Sequence, residues 1–145
     1  MRGKLIENCK FQTVLPARPY TQANSSTTYG RTIDTNGVDE VVFNLDAENL
    51  LANNTLAVVI NENSTPDPIG SVAVTGASFT TITSSNGTTG RSGTMQSSEF
   101  KRYLFAIATF SGGGGAFTGS AAMSAVLKSR TAPVAGTPDF DLDYL

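Results

Sequence analysis

The chain of 145 residues contains no histidine and no tryptophan, and its only cysteine is Cys9. Without histidine, the commonest general base and the commonest metal ligand are both missing. One cysteine supplies neither a zinc cage nor an internal disulfide, and without a histidine partner Cys9 is a poor nucleophile. Charge is scarce too: Asp, Glu, Lys and Arg make up 15% of the chain, against ~25% in an average soluble domain. The 10 basic residues are scattered, none in a run longer than Lys101-Arg102, and the net charge is −2. That distribution disfavours nucleic acid, whose phosphates select clustered Lys and Arg. No stretch approaches the ~20 apolar residues of a spanning helix. Met1 to Asn8 has no apolar core behind its basic residues, so no Sec-type signal is expected, and folding in a cytoplasm is. The Asn-X-Ser/Thr triplets at Asn24, Asn53, Asn63 and Asn86 then read as products of composition rather than as glycosylation sites.

What remains is rich in Ser, Thr, Asn and Gly, the palette of strands joined by turns. A chain this long buries a core without staples. Val38 to Leu45 alternates, with Val41, Phe43 and Leu45 on one face and Val42 on the other. Leu56 to Ile60 reads as a second core strand, and Ile69–Val74 and Ser78–Ile82 as two short ones. Phe100 to Phe110 carries Tyr103, Phe105 and Ile107 on one face and Leu104, Ala106 and Ala108 on the other, as in a central strand covered on both sides. Ala116 to Lys128 closes the set. Phe105, Ile107, Val42, Val59 and Leu104 are the expected core. Asp46 to Asn54 is either a loop or one helical turn capped by Asp46, and Ser84 to Gly93 is a turn-rich loop with Asn86-Gly87 at its tip.

These short runs, punctuated by Gly, Pro and Asn, predict an all-β fold: an antiparallel β-sandwich or jelly-roll-like barrel with extended arms at both ends. The expected division is an N-terminal arm over 1–29, stiffened by Pro16 and Pro19, a β-sandwich domain over 30–130, and an extended C-terminal tail over 131–145.

No catalytic, cofactor-binding or metal-binding residue is nominated. Gly112 to Gly115 lacks the Gly-Lys-Ser/Thr ending of a phosphate loop and reads as a flexible turn. Asp34, Asp39, Glu40, Asp46 and Glu48 fall near strand ends, where carboxylates are ordinary, so a glycosidase pair is disfavoured. Asp139, Asp141 and Asp143 alternate with Phe140, Leu142 and Tyr144. That is either an acidic tail or a strand able to add to the edge of another sheet. Arg102 fits an ion pair at a strand end or a contact with an acidic partner.

The order of several short motifs is similar to that of the small head-decoration, or cement, proteins of tailed bacteriophages. The matching pieces are Gly37-Val38-Asp39 before Val41-Val42, Lys101-Arg102-Tyr103-Leu104-Phe105, Ser111-Gly112, Ser120 to Leu127, and Arg130-Thr131-Ala132-Pro133-Val134. The chain departs from that family's pattern at Asn61 to Thr65, where an aspartate-rich stretch is usual, and after Val134. The resemblance implies a non-enzymatic virion structural protein, made in the host cytoplasm and bound to the outer surface of the capsid. Its implied partners are the major capsid protein and sister subunits, with a trimer as the geometric guess. Isolated large side chains on the arms are the candidate partner contacts: Leu5, Ile6, Phe11, Tyr20, Phe140, Leu142 and Tyr144, with Arg102 on the domain. The alternative is a β-module of a tail or spike that binds a host glycan or receptor.

Overall fold

Burying one face of each alternating segment brings two sheets together. The structure is a computed structural model that describes residues 9–86 and 90–129. The described strands are β1 (Cys9–Gln22), β2 (Ser26–Tyr29), β3 (Ile33–Asp34), β4 (Val38–Glu48), β5 (Thr55–Asn63), β6 (Val72–Ser78), β7 (Ile82–Thr83), β8 (Arg91–Gln96), β9 (Tyr103–Ser111) and β10 (Phe117–Ser129). They form two antiparallel sheets, ordered β1-β10-β4-β8 and β2-β9-β5-β6, with β3 added to β9 and β7 to β5. Val41, Phe43 and Leu45 of β4 and Met123, Ala125 and Leu127 of β10 pack across the interior against Leu56, Val58 and Ile60 of β5 and Leu104, Ala106, Ala108 and Phe110 of β9. This is the expected all-β sandwich, with period-2 burial along each central strand.

Residues 9–29 do not form the expected arm. Cys9 to Gln22 pairs along β10 from Cys9↔Lys128 to Gln22↔Phe117, and Ser26 to Tyr29 pairs with β9. Register shifts between Thr13 and Arg18 mark bulges, and Pro16 falls inside them. A proline costs little where the ladder is already interrupted on a sheet's outer strand. The Arg31 amide donates to the Val14 carbonyl at 3.0 Å, and the Gly30 amide to that of Ala106 at 2.8 Å. These bonds stitch the two sheets together along this flank. The expected tail, 131–145, lies outside the described residues.

Smaller differences have local causes. Asp46 to Asn54 makes no helical turn: β4 runs to Glu48, and Asn49 and Asn53 then take positive φ of 58° and 66°, which a helix does not accept. The turn expected at Asn86-Gly87 lies partly outside the described residues; just before it, the Thr83 amide donates to Asn86 Oδ1 at 2.7 Å and the Asn86 amide to the Thr83 carbonyl at 3.2 Å. Arg91 to Gln96 has no apolar alternation, yet it is strand β8 because β4 offers it a ladder from Leu45 to Glu40. Among the expected core residues, Leu104 and Phe105 are fully buried. Val42, Val59 and Ile107 are half-buried on outward faces, since their registers place them opposite Thr94, Ser78 and Val59 rather than between the sheets.

Candidate functional site

The nominated contact residues scatter when the chain folds. Leu5, Ile6, Phe140, Leu142 and Tyr144 lie outside the described residues. Tyr20 is not a surface anchor: it is 1% exposed, its ring stacks on Phe110 with centroids 5.2 Å apart, and its hydroxyl donates to the Pro16 carbonyl at 2.9 Å. Because β1 is a strand and not an arm, the ring enters the interior and its polar tip is satisfied at the bulge. Arg18 lies over the same ring at 4.8 Å.

Arg102 is occupied within the chain. Its Nε and one terminal nitrogen donate to the two carboxylate oxygens of Asp34, each at 3.0 Å, and its guanidinium lies 5.0 Å from the centre of the Tyr103 ring. The backbone beneath is held separately, since the Thr35 amide and hydroxyl both donate to the Arg102 carbonyl, at 2.9 and 2.6 Å. Next to it the Lys101 amide donates to Glu62 at 2.6 Å, and the Lys101 ammonium lies 3.9 Å from the same carboxylate. This end of the sandwich therefore carries two self-neutralised pairs rather than an anion site.

The Arg102 hydrogen bonds hold the Asp34 carboxyl below its ordinary value of 3.8, assisted by the Asn36 amide. A lowered folded pKa adds stability that is fully present above that ordinary value and is lost as pH falls through the folded one. Both side chains are about half exposed, so solvent screens the pair. Asp34→Asn is expected to change the urea midpoint only slightly at pH 7. The difference should shrink as pH falls below the ordinary 3.8 and through the lower folded value, where the carboxyl becomes protonated in both states; urea melts at pH 7 and along an acid series check it.

Phe11 is the nominated residue that the fold presents to solvent, 72% exposed. Register sets it in a row with Val126 of β10, Val42 of β4 and Thr94 of β8. The row crosses the outer face of the first sheet, with Cys9, Lys128, Glu40 and Gln96 on one side and Thr13, Ser124, Asn44 and Ser92 on the other. The result is an outer face with one apolar stripe, bordered by polar rows and, farther along β4, by the exposed carboxylates of Asp46 and Glu48. Val126 and Val42 were not nominated as contacts; the alternation in their strands showed that they point outward, but not that they adjoin Phe11. Among the described residues no cluster of His, Cys, Asp or Glu is arranged to hold a metal, and no helix is long and apolar enough to cross a membrane.

No family model and no curated protein sequence matches the chain. Solved structures do. The exported protein XepA of PBSX aligns with a TM-score of 0.57 and 11% identity over 89% of this chain and 41% of its own. Infectious bursal disease virus, Gx strain, aligns at 0.54 and 14% identity over 90% of this chain and 34% of the other. The VP2 subviral particle of that virus aligns at 0.53 and 15% identity over 83% and 32%. The shared property is the fold, a β-sandwich that also occurs in a particle-forming viral protein. The chain spans about two fifths or less of the length of these proteins.

Proposed function

We propose that this chain is a virion structural protein, non-enzymatic, that binds the outer surface of a phage capsid and stabilises the shell. The observation that carries this reading is the sandwich common to this chain and the VP2 subviral particle, covering 83% of the chain. The motif order shared with phage decoration proteins points the same way. So does the physical character of the first sheet's outer face. With Phe11 standing proud of Val126 and Val42 as an apolar stripe among polar rows, it suits docking against another protein better than enclosing a small molecule. Exposed aromatics of this kind supply much of the energy at interfaces. A ligand that binds the assembled shell and not its dissociated subunits stabilises the shell by linkage, and many equivalent sites multiply the effect.

Mass spectrometry of purified virions is expected to show the chain in a copy number comparable to the major capsid protein. Added to shells that lack it, the chain should raise the temperature at which they come apart. Phe11→Asp should weaken that binding by about tenfold or more, the effect of losing an interface anchor worth over ~1 kcal/mol. Absence from virions, or shells whose melting is unchanged by saturating protein, would refute the reading.

A further inference from the structure

The two central strands of the first sheet, β10 and β4, carry matched but opposite side chains on their outer face. Register pairs Lys128 with Glu40, Val126 with Val42, and Ser124 with Asn44. Farther along, Asp46 and Glu48 of β4 stand beside Ala122 and Ser120 of β10. The face is open, since Lys128, Ser124, Asp46 and Glu48 are exposed and Phe11 beside Val126 is 72% exposed. The ion pairs among the described residues are Lys101–Glu62 and Arg102–Asp34. Lys128 and Glu40 are neighbours across the strands, yet they do not close on each other.

We propose that this face is self-complementary and that a second copy of the chain covers it in the free protein, about a two-fold axis running along the strands between β10 and β4. Such an axis exchanges the two strands. Each β10 residue then faces the β4 residue of its own row on the other copy, and every contact occurs twice, as in any isologous pair. Lys128 faces the partner's Glu40, Val126 the partner's Val42, and Ser124 the partner's Asn44. Asp46 and Glu48 come opposite the partner's Ala122 and Ser120, so no two like charges oppose each other. A two-fold axis across the strands at the Ser124 row does worse. It sets Glu40 against the partner's Glu48 and Val42 against the partner's Asp46.

The charges choose the partner and its register, because like charges brought together across an interface cost several kcal/mol and opposite ones steer the encounter. The apolar stripe supplies the contact area. A strand spacing of ~4.8 Å and a rise of ~3.4 Å per residue give the four-stranded face between Ser120 and Lys128 an area of roughly 500 Å². Two such faces cover roughly 1,000 Å², near the lower bound for a specific interface, so the pair is a reversible one. Stacked sheets settle ~10 Å apart with strands turned by up to ~30°. That rotation opens the corners, where Glu48 keeps its water. The pairing belongs to the free chain and does not depend on the capsid reading. Where both hold, the second copy leaves before the face docks, which an interface this small allows.

Sedimentation of the full-length chain tests this without any capsid. The parent is expected to be monomeric when dilute and dimeric when concentrated. Lys128→Glu protein and Glu40→Lys protein should each dimerise about tenfold or more weakly, because like charges then oppose each other twice. Mixed together, the two variants should form a one-to-one pair again, since every facing charge is once more opposite. Recovery on mixing cannot come from a role within one chain, and urea midpoints near the parent's show that each variant is folded. A parent that stays monomeric at ~1 mM, below which even a few kcal/mol of affinity would show, overturns the proposal. So does a single variant that dimerises as tightly as the parent, or a mixture that stays monomeric. Thr27→Asp changes an exposed residue on the outer face of the second sheet and should dimerise as the parent does. Weakened association of that variant would put the contact on the other sheet and overturn the assignment.

Discussion

Phe110→Ala is expected to destabilise the protein by ~3–5 kcal/mol. Phe110 is fully buried and ties the sheets together at one end of the sandwich. It belongs to β9 in the second sheet, while its two aromatic neighbours, Tyr20 of β1 and Phe117 of β10, belong to the first. The Tyr20 ring stacks on it at 5.2 Å, and the Phe117 ring meets it edge-on at 4.8 Å. Truncation removes the transferred apolar surface and leaves a cavity walled by two rings held on two strands of the opposing sheet, which cannot collapse cheaply. It also removes both ring pairs, each worth ~0.5–1.5 kcal/mol beyond area. Phe11→Ala is the comparison. With its ring in water, it is expected to cost under ~0.5 kcal/mol. Urea unfolding distinguishes the two, read as a shift in midpoint at constant slope. A small shift for Phe110→Ala would mean that the two sheets do not close over this cluster.

Gly112→Ala is expected to cost ~1–3 kcal/mol, although it adds one methyl group to a loop. The sequence presents Gly112 to Gly115 as an undifferentiated flexible run, but the hairpin between β9 and β10 gives each glycine a different task. The Gly115 amide bonds back to the Gly112 carbonyl at 3.3 Å, closing a turn in which Gly113 and Gly114 take positive φ of 62° and 108°. A Cβ on Gly112 would run into the Gly115 carbonyl oxygen and the Ala116 backbone, and backbone atoms cannot swing aside as a side-chain tip can. Gly115 is the contrasting position, with nothing within 4 Å of a built Cβ and no positive φ. Gly115→Ala is therefore expected to be neutral or to stabilise by up to ~1 kcal/mol through the unfolded chain. Thermal melts of the two variants should move in opposite directions or differ by several degrees. Equal melts would mean that the turn is not formed as described.

Much of the architecture follows from alternation. Val41, Phe43 and Leu45 are buried where the period-2 pattern puts them, as are Leu56, Val58 and Ile60, and Met123, Ala125 and Leu127. These patterns and the frequent turn residues establish an all-β antiparallel fold, because a side-chain period of 2 fits no other element. The bland reading of Arg102, a pair at a strand end, was legible too; its partner Asp34 was not, being 68 residues distant.

The tertiary structure decided the questions in which local pattern offers no preference. Both faces of β9 are apolar, so alternation could not say that Leu104, Ala106, Ala108 and Phe110 face the opposing sheet while Ile107 faces out. Only the register with β5 and the position of the other sheet choose. Cys9 to Gln22 carries two prolines and weak periodicity, and its strand exists because β10 supplies the ladder and bulges accommodate Pro16. Arg91 to Gln96 has a single large apolar residue, Met95, and no apolar alternation; it is a strand through its backbone pairing with β4. The site was affected in the same way. The sequence counted Tyr20 as an isolated ring on an arm, but pairing with β10 carried it into the core, while Phe11 was set on the surface beside Val126 and Val42. Composition and period determine what a segment can be, because they act through neighbours along the chain. Which face is inside, which edge is paired and which aromatic meets solvent depend on strands far apart in sequence, and those pairings arise only when the sheets assemble.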